Sequence, residues 1–282
     1  KASVQKICEW AADNNLLDCT EVLGFLDKES VDLVFESGCK TINLLTKGSL
    51  VRLQAQLSQD EQTHFRKILE TIDYAHSHGL VANAYLEHWG SAVGAEKEFT
   101  LRAVQNLVEG GVNRIMLADT LGVMSPNQVF REVKFLREKF PDALFDFHAH
   151  NDYGLALANS LAAASAGVSG LHVTVNGLGE RCGNCPLEEV VVGLKDFYGI
   201  DCGVDEKKLF ALSKLVEGLS GVKLSSNKPI VGKNIVYHVA GVHAHGNKKA
   251  GAYDNLLLPE RFGRETQYAL GKLMGRISLE IN

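Results

Sequence analysis

The sequence predicts an α/β protein, a (β/α)8 barrel followed by a small α/β subdomain. From Thr20 onward, short apolar runs of strand-like character alternate with longer helical patterns, which is the repeat of a parallel sheet. Most of these runs end in polar residues, and the carboxyl ends of parallel strands build the active site in such proteins. A doubly wound sheet is the alternative, but no Gly-x-Gly-x-x-Gly follows a first strand. We therefore prefer the barrel.

Six apolar runs are predicted as strands, at residues 21–25, 41–45, 81–86, 114–118, 144–147 and 171–175. Helices rich in Leu, Ala, Glu and Lys are predicted between them, for example at residues 60–76, 99–109, 126–139 and 155–166. A barrel of this type needs eight strands. Because the chain begins within an amphipathic helical pattern that includes Val4, Ile7 and Cys8, we expect the six runs to be strands three to eight, with strands one and two preceding Lys1.

The βα pattern changes near residue 200. After a predicted helix at residues 206–219, the sequence becomes irregular and rich in glycine. We therefore expect a catalytic barrel domain at residues 1–219, incomplete at its N-terminus, and an appended subdomain at residues 220–282.

Composition excludes several classes of protein. With 282 residues, 45% hydrophobic and 22% charged, the chain is typical of a globular protein. It has no apolar run long enough for a membrane span and no signal pattern at its start, so we expect a cytosolic protein with no membrane partner. The basic residues form no dense stripe, which argues against nucleic acid. The six cysteines are scattered, and we expect no disulfides.

A histidine pair follows the predicted strand 144–147. His148 and His150 are two residues apart, so on a strand both side chains point to one face and could bind one divalent cation. Two such histidines in a core would each need a hydrogen-bond partner, which makes a purely structural role the weaker interpretation. Nitrogen and oxygen ligands admit Zn, Mn, Fe or Co, so the sequence does not choose the metal.

A glycine-rich loop at residues 176–184 follows the last predicted strand and precedes a helix that starts after Pro186. Glycines and a helix N-terminus allow backbone N–H groups to approach an anion. Asn184 could also offer its amide oxygen to the metal. Cys182 and Cys185 form a Cys-x-x-Cys pair without a second pair, so a zinc-ribbon or redox interpretation is incomplete.

Several blocks together resemble one enzyme group. They are His-Ala-His-Asn-Asp at 148–152, the loop at 176–184, Ala-Gly-Val-His-Ala-His-Gly at 240–246, Leu-Pro-Glu-Arg-Phe-Gly-Arg at 258–264 and Tyr-Ala-Leu-Gly-Lys at 268–272. In order along the chain, they resemble the 2-isopropylmalate synthase, (R)-citramalate synthase and homocitrate synthase group. That resemblance implies a metal-dependent barrel acyltransferase. It would condense acetyl-CoA with a 2-oxo acid and hydrolyse the thioester, in leucine or isoleucine biosynthesis.

The resemblance also implies roles for individual residues. His148 and His150 match metal ligands, with Asn184 as a weaker one, and the metal would be Zn or Mn foremost, with Mg as a further option. Glu87 matches the catalytic carboxylate and Thr120 a residue that binds the oxo-acid carboxylate. If the resemblance is set aside, Glu87 could be a solvated carboxylate and Thr120 could cap a helix.

Further matches lie in the subdomain and the substrate pocket. His243 and Tyr253 match residues that enter the active site of the neighbouring subunit and assist proton transfer or hydrolysis, which implies a homodimer. Leu23, Leu45 and Tyr85 match the apolar pocket for the oxo-acid side chain. Bulky residues favour pyruvate over 2-oxoisovalerate, although one methylene discriminates by only about 1–3 kcal/mol.

The chain departs from the group in one major respect. The segment Asp-x-Thr-Leu-Arg-Asp-Gly, which carries a metal ligand and a substrate-binding arginine in the group, is absent from this sequence, so we expect no turnover by residues 1–282 alone. His88 and His245 stand where relatives commonly have Asp. The alternatives are a metal-dependent lyase of the HMG-CoA lyase type and a non-catalytic derivative of the fold.

Overall fold

Six parallel strands in chain order form the main sheet of the protein. Its structure is a computed structural model that describes residues 2–238 and 255–268. Each strand pairs in parallel with the next one along the chain. This order is that of a barrel wall, because a doubly wound sheet reverses its strand order at a switch point. The strands are β1 Val22–Gly24, β2 Thr41–Lys47, β3 Val81–Glu87, β4 Ile115–Asp119, β5 Phe145–Ala149 and β6 Gly170–His172.

The predicted strands are all present, with shifted ends. Strands β2 and β3 run further than predicted, because Thr46 and Lys47 continue the parallel register opposite Leu86 and Glu87. Strand β6 ends at His172, two residues beyond its start and earlier than predicted.

Helices connect the strands, and their starts follow local capping chemistry. The Asp27 side chain accepts a hydrogen bond from Ser30 N, and Asp60 accepts one from Thr63 N, each at 2.7 Å, which satisfies N–H groups that the first helical turn leaves unpaired. The helices are α1 Ala2–Asp13, α2 Lys28–Glu36, α3 Leu50–Leu57, α4 Glu61–Ser77, α5 Trp89–Ala92, α6 Lys97–Glu109, α7 Pro126–Lys139, α8 Ala156–Ser165, α9 Leu187–Tyr198 and α10 Leu209–Ser220.

Strand residues alternate between a packed face and a cavity face. On β2, Ile42 and Leu44 are fully buried, whereas Asn43 and Leu45 line a cavity. On β5, Phe145 and Phe147 are fully buried. This period of two is a property of extended backbone, and it separates core residues from site residues within one strand.

The chain divides into two compact units. The first contains Lys1–His172 and Gly179–Cys185, and the second contains Val173–Leu178 and Pro186–Asn282. In its described part, the second unit holds α9, α10 and a parallel pair formed by β7 Tyr237–His238 and β8 Gln267–Tyr268. These units do not coincide with domains 1–219 and 220–282, which remain a prediction.

The second unit has its own apolar core and a central arginine. Its buried residues are Val192, Leu209, Ile230, Val231 and Phe262. Arg261 donates to Glu206 at 2.9 and 2.6 Å and to Asp196 at 2.9 Å. The planar guanidinium between two carboxylates fixes the 258–264 segment against α9 and the turn that precedes α10.

Two expectations concern features outside the site. None of the helices within residues 2–238 and 255–268 is both long and apolar enough to cross a membrane. All six cysteines fall within these residues, and all are free thiols.

Candidate active site

The carboxyl ends of the strands surround a cavity of about 380 Å³ in the first unit. Parallel strands place their carboxyl ends on one edge of the sheet, which is why residues far apart in sequence meet there. Seven of the predicted site residues share this cavity. Its lining residues are Glu21, Leu23, Asn43, Leu45, Tyr85, Glu87, Ala118, Thr120, His148 and His150.

His148 lies on β5 and His150 follows the end of that strand, and both side chains reach the cavity. Their Nε2 atoms lie 3.3 Å apart. Burial, followed by the neighbouring His150 and His172, lowers the pKa of His148 to about 4. Burial and then Arg181 also lower the pKa of His150. Both imidazoles are therefore neutral near pH 7, and a neutral imidazole is the form that binds a metal.

The three predicted metal ligands lie close together at the end of β5. Asn184 pairs with His150 in an isolated antiparallel bridge, so the three predicted ligands are neighbours. Within the described residues, no group of three or more His, Cys, Asp or Glu side chains is arranged to hold a metal. The buried Nδ1 atoms of His148 and His150 also have no hydrogen-bond partner among those residues. The two imidazoles and one amide thus fit part of a coordination shell.

Glu87 is paired with a lysine that sequence reasoning overlooked. Lys47 lies opposite Glu87 in the β2–β3 register, and its ammonium forms an ion pair with the Glu87 carboxylate. Lys47 Nζ also donates to Gln56 Oε1 at 2.6 Å, and its side chain is only 10% exposed. The pair is shielded from water, so it is stronger than a surface ion pair. In the sequence, the only indication of this pair was that both predicted strands end in polar residues.

Thr120 stands at the end of β4 with one of its oxygen lone pairs already used. The His88 backbone N–H donates to Thr120 Oγ1 at 2.8 Å. His88 adopts the left-handed backbone conformation, with φ of 64°, which points its N–H group at the threonine. The hydroxyl hydrogen of Thr120 is not needed for this bond and can be donated elsewhere.

The glycine-rich loop is held by Arg181. Its guanidinium donates to both oxygens of Asp152 at 2.7 and 2.8 Å and to the Thr120 carbonyl at 2.8 Å. The bidentate contact lowers the pKa of Asp152. Cys182 is exposed and Cys185 is buried. The loop thereby links the end of β4 with the segment that follows His150.

The predicted side-chain pocket has a polar component. Tyr85 lines the cavity with Leu45, but its hydroxyl lies 2.7 Å from His172 Nδ1. Leu23, on the edge strand β1, is 58% exposed. The contact between Tyr85 and His172 joins residues 87 positions apart, so no local sequence pattern predicts it. His243 and Tyr253 lie outside the described residues.

Comparisons with known proteins identify relatives of this chain. The sequence profile of the HMGL-like family matches residues 1–216. A 2-isopropylmalate synthase of Sulfurisphaera tokodaii is 37% identical over 92% of this chain and 67% of its own length. A homocitrate synthase of Sulfolobus acidocaldarius is 38% identical over 88% of this chain and 52% of its own length.

A protein provisionally named (R)-citramalate synthase, from Methanopyrus kandleri, is 38% identical over 88% of this chain. The chain spans 48% of that relative, so about half of the relative has no counterpart here. Among solved structures, the HMG-CoA lyase of Bacillus subtilis aligns with a TM-score of 0.66 over 73% of this chain and 72% of its own, at 24% identity. That likeness supports the fold.

The fold and the site together define the class of this protein, which is a parallel α/β barrel protein with a polar cavity at the carboxyl ends of its strands. The family match makes the assignment specific, and the chain belongs to the HMGL-like family. Its relatives carry the names of 2-isopropylmalate, citramalate and homocitrate synthases.

Proposed function

We propose that this protein is an acyltransferase that condenses acetyl-CoA with a short 2-oxo acid and hydrolyses the resulting thioester. The products would be citramalate from pyruvate or 2-isopropylmalate from 2-oxoisovalerate, for isoleucine or leucine biosynthesis in the cytoplasm. The observation that supports this proposal best is the convergence of Glu87, Thr120 and the histidine pair on one cavity. These side chains would supply a base, a hydrogen-bond donor for the substrate carboxylate, and metal ligands.

His148 and His150 would hold a divalent cation, with Asn184 as a further ligand. Zn or Mn suits imidazole and amide donors best, and Mg is a less suitable option. When bound, the cation would polarise the keto group of the oxo acid. The lowered pKa values of both histidines support this role, because their lone pairs remain available at neutral pH.

Glu87 would remove a proton from the methyl group of acetyl-CoA. The resulting enolate carbon would then attack the keto carbon of the oxo acid. Lys47 compensates the charge of Glu87 in a partly shielded setting, so it would both orient the carboxylate and stabilise negative charge that develops nearby.

Thr120 would bind the carboxylate of the 2-oxo acid. Since the His88 N–H occupies a lone pair of Thr120 Oγ1, the hydroxyl hydrogen is free to point at the substrate. His243 and Tyr253 of a second copy would assist proton transfer or hydrolysis, which makes the proposed assembly a homodimer.

The test of this function is a thiol-release assay on the full-length protein. Acetyl-CoA is combined with pyruvate, 2-oxobutyrate, 2-oxoisovalerate or 2-oxoglutarate, with and without added Zn²⁺, Mn²⁺ or Mg²⁺. We expect free CoA to form only when acetyl-CoA, an oxo acid and a metal are all present, and mass spectrometry should find the condensation product. Cleavage of HMG-CoA without any condensation would instead assign a lyase.

Metal retention tests the ligand assignment separately. We expect His148→Ala to lose bound metal, as measured by elemental analysis after dialysis. His76→Ala is the matched control, because His76 is exposed on α4, and it should retain metal. Equal metal content in both variants would remove His148 from the ligand set.

A further inference from the structure

One arginine of the glycine-rich loop joins two segments that follow different strands. Arg181 Nε and Nη2 donate to the two carboxylate oxygens of Asp152 at 2.7 and 2.8 Å, and Nη2 also donates to the Thr120 carbonyl at 2.8 Å. Thr120 directly follows β4, whereas Asp152 lies three residues after the end of β5. Because all three contacts come from one planar group, they fix the positions of these segments relative to each other.

The backbone at Arg181 indicates that this side chain is needed for its contacts. Arg181 adopts the left-handed conformation, with φ of 52°, which has a steric cost for a residue with a Cβ atom. Glycine, which the same loop contains at positions 177, 179 and 183, adopts this conformation without that cost. An arginine held in a strained conformation therefore points to a function of its side chain.

Backbone contacts connect the same segments closely. The His150 N–H donates to the Asp119 carbonyl at 3.3 Å, and the Asn151 N–H donates to the Gly183 carbonyl at 2.9 Å. At Gly122, a Cβ atom would lie 2.8 Å from the His150 carbonyl oxygen, so the chain after β4 packs directly against the chain after β5. A displacement of one segment therefore displaces its neighbours.

The ion pair of Arg181 and Asp152 affects local geometry more than the stability of the fold. The two side chains are 40% and 21% exposed, and an ion pair with such access to water adds little to the free energy of unfolding. A bidentate arginine contact nevertheless has a defined direction. Loss of the Arg181 guanidinium should therefore release the Thr120 carbonyl while the protein stays folded.

We propose that Arg181 is a positioning residue, which holds Thr120 at a fixed position relative to the segment that carries His150, so that both act on one 2-oxo acid. Arg181 is not among the described residues that line the cavity, so it acts through Thr120 and Asp152. The proposal rests on the proposed function, in which Thr120 binds the carboxylate of the oxo acid. Misplacement of a binding group by about 1 Å can reduce function by up to about 100-fold.

The experiment measures oxo-acid binding by calorimetry on the full-length protein with added Mn²⁺. Of pyruvate, 2-oxobutyrate, 2-oxoisovalerate and 2-oxoglutarate, the acid that binds most tightly is used throughout. Arg181→Asn removes the guanidinium, and asparagine tolerates the left-handed backbone. We expect its Kd for the oxo acid to rise about tenfold, whereas KM for acetyl-CoA should change by less than about twofold, because acetyl-CoA does not depend on Thr120 in the proposed site.

Arg102→Asn is the matched control. The Arg102 guanidinium also donates to both carboxylate oxygens of one residue, Glu61, and its side chain is 52% exposed. This pair joins α6 to α4 and not the ends of strands. Its loss should therefore leave the Kd for the oxo acid within about twofold of that of the unsubstituted protein.

A double variant tests whether Arg181 acts through its carboxylate partner. Asp152→Asn keeps one acceptor oxygen but loses the charge and the second acceptor, so it should raise the Kd in the same direction. If the pair acts as a unit, the double variant should bind the oxo acid about as weakly as Arg181→Asn alone. Effects that simply multiply would overturn the proposed action through Asp152.

Hydrogen–deuterium exchange measures the contact between the segments without any ligand. The amides of His150 and Asn151 should exchange at least about tenfold faster in Arg181→Asn and at an unchanged rate in Arg102→Asn. Circular dichroism first confirms that each variant is folded, and Asp152→Asn keeps the comparison possible if Arg181→Asn does not fold.

The outcomes separate this proposal from the proposed function. An unchanged Kd for the oxo acid in Arg181→Asn would overturn the positioning role, and so would a rise in KM for acetyl-CoA alone, which would assign Arg181 to that substrate. If the unsubstituted protein bound none of the four acids, the proposed function would fail. The exchange rates would then still decide whether Arg181 holds the two segments together.

Discussion

At the scale of single residues, the chemistry of this site depends on partners that neutralise or orient one another. Glu87 is the clearest case, because its proposed role as a base requires a carboxylate that is correctly directed. Lys47 forms an ion pair with this carboxylate from the adjacent strand and thereby fixes its direction. The aligned ends of β2 and β3 therefore carry an ion pair, and the effect of Lys47 on the proposed reaction can be measured.

Lys47→Met should lower kcat by at least about tenfold with a smaller change in KM, because the ammonium acts on charge that develops during reaction. Lys47→Arg should recover part of the activity, since it keeps the positive charge. Steady-state assays with saturating acetyl-CoA give the comparison. If Lys47→Met raised only KM, Lys47 would serve substrate binding and the orienting role would be wrong.

A second residue, His64, couples folding to pH. It is fully buried and accepts the Lys47 N–H at 3.3 Å. Burial, and then the charge of Lys47, lowers its pKa from 6.5 to about 4. A histidine with a lowered folded-state pKa contributes stability that is complete above its unfolded pKa and is lost as the pH falls. The relevant window therefore runs from about pH 6.5 down to about pH 4.

We expect the free energy of unfolding to fall by about 2–3 kcal/mol across that window through His64. Urea denaturation at several pH values measures it. His64→Asn should be less stable at pH 7 but should show a flatter pH dependence. His76→Asn, at an exposed position of the same helix, should follow the unsubstituted protein. Parallel curves for all three proteins would contradict the assignment.

At the scale of elements, side chains along each strand alternate between the buried core and the cavity. Strand β3 illustrates this division, since Ala84 and Leu86 are fully buried while Tyr85 and Glu87 line the cavity. A shift of one residue in its pairing would exchange the two sets. The core residues thereby determine which side chains reach the cavity.

Leu86→Ala should therefore destabilise the protein by about 2–5 kcal/mol, the range for a large buried side chain cut to alanine. Val81 starts the same strand and is 42% exposed, so Val81→Ala should cost less than about 1 kcal/mol. Chemical denaturation of both variants provides the comparison. Similar losses in the two variants would contradict the burial pattern.

At the scale of the whole molecule, the proposed homodimer makes a prediction about complementation. If His243 enters the site of the neighbouring subunit, a Glu87→Gln subunit and a His243→Ala subunit can together form one intact site. Each variant alone should be nearly inactive, whereas a co-expressed equal mixture should reach about one quarter of full activity. That value follows because half of the dimers would be mixed and each would carry one working site.

The mixture could instead show no more activity than the two variants show separately. In that case, His243 and Glu87 would act within the same subunit, or His243 would not belong to the site. Size-exclusion chromatography with light scattering establishes beforehand that the protein is dimeric. A monomer with full activity would contradict the proposed assembly directly.

Much of the fold was predictable because hydrophobic periodicity is a local property. The order of six strands, the helices between them and the polar strand ends all follow from residue patterns, and each is present in the structure. The ends of β2 and β6 were not predictable, because their lengths depend on pairing with neighbouring strands. Strand pairing is a contact between distant parts of the chain, and periodicity within one segment does not contain it.

The sequence by itself determined the parallel α/β class, the His148 and His150 pair on one strand face, and the placement of the chemistry at the strand ends. Only the tertiary structure decided which of those side chains act together. Lys47 meets Glu87 across 40 positions, and Tyr85 meets His172 across 87. The physical reason is that side-chain spacing along a strand is set by backbone geometry, whereas charge pairing and hydrogen-bond direction are set by the register and curvature of the assembled sheet.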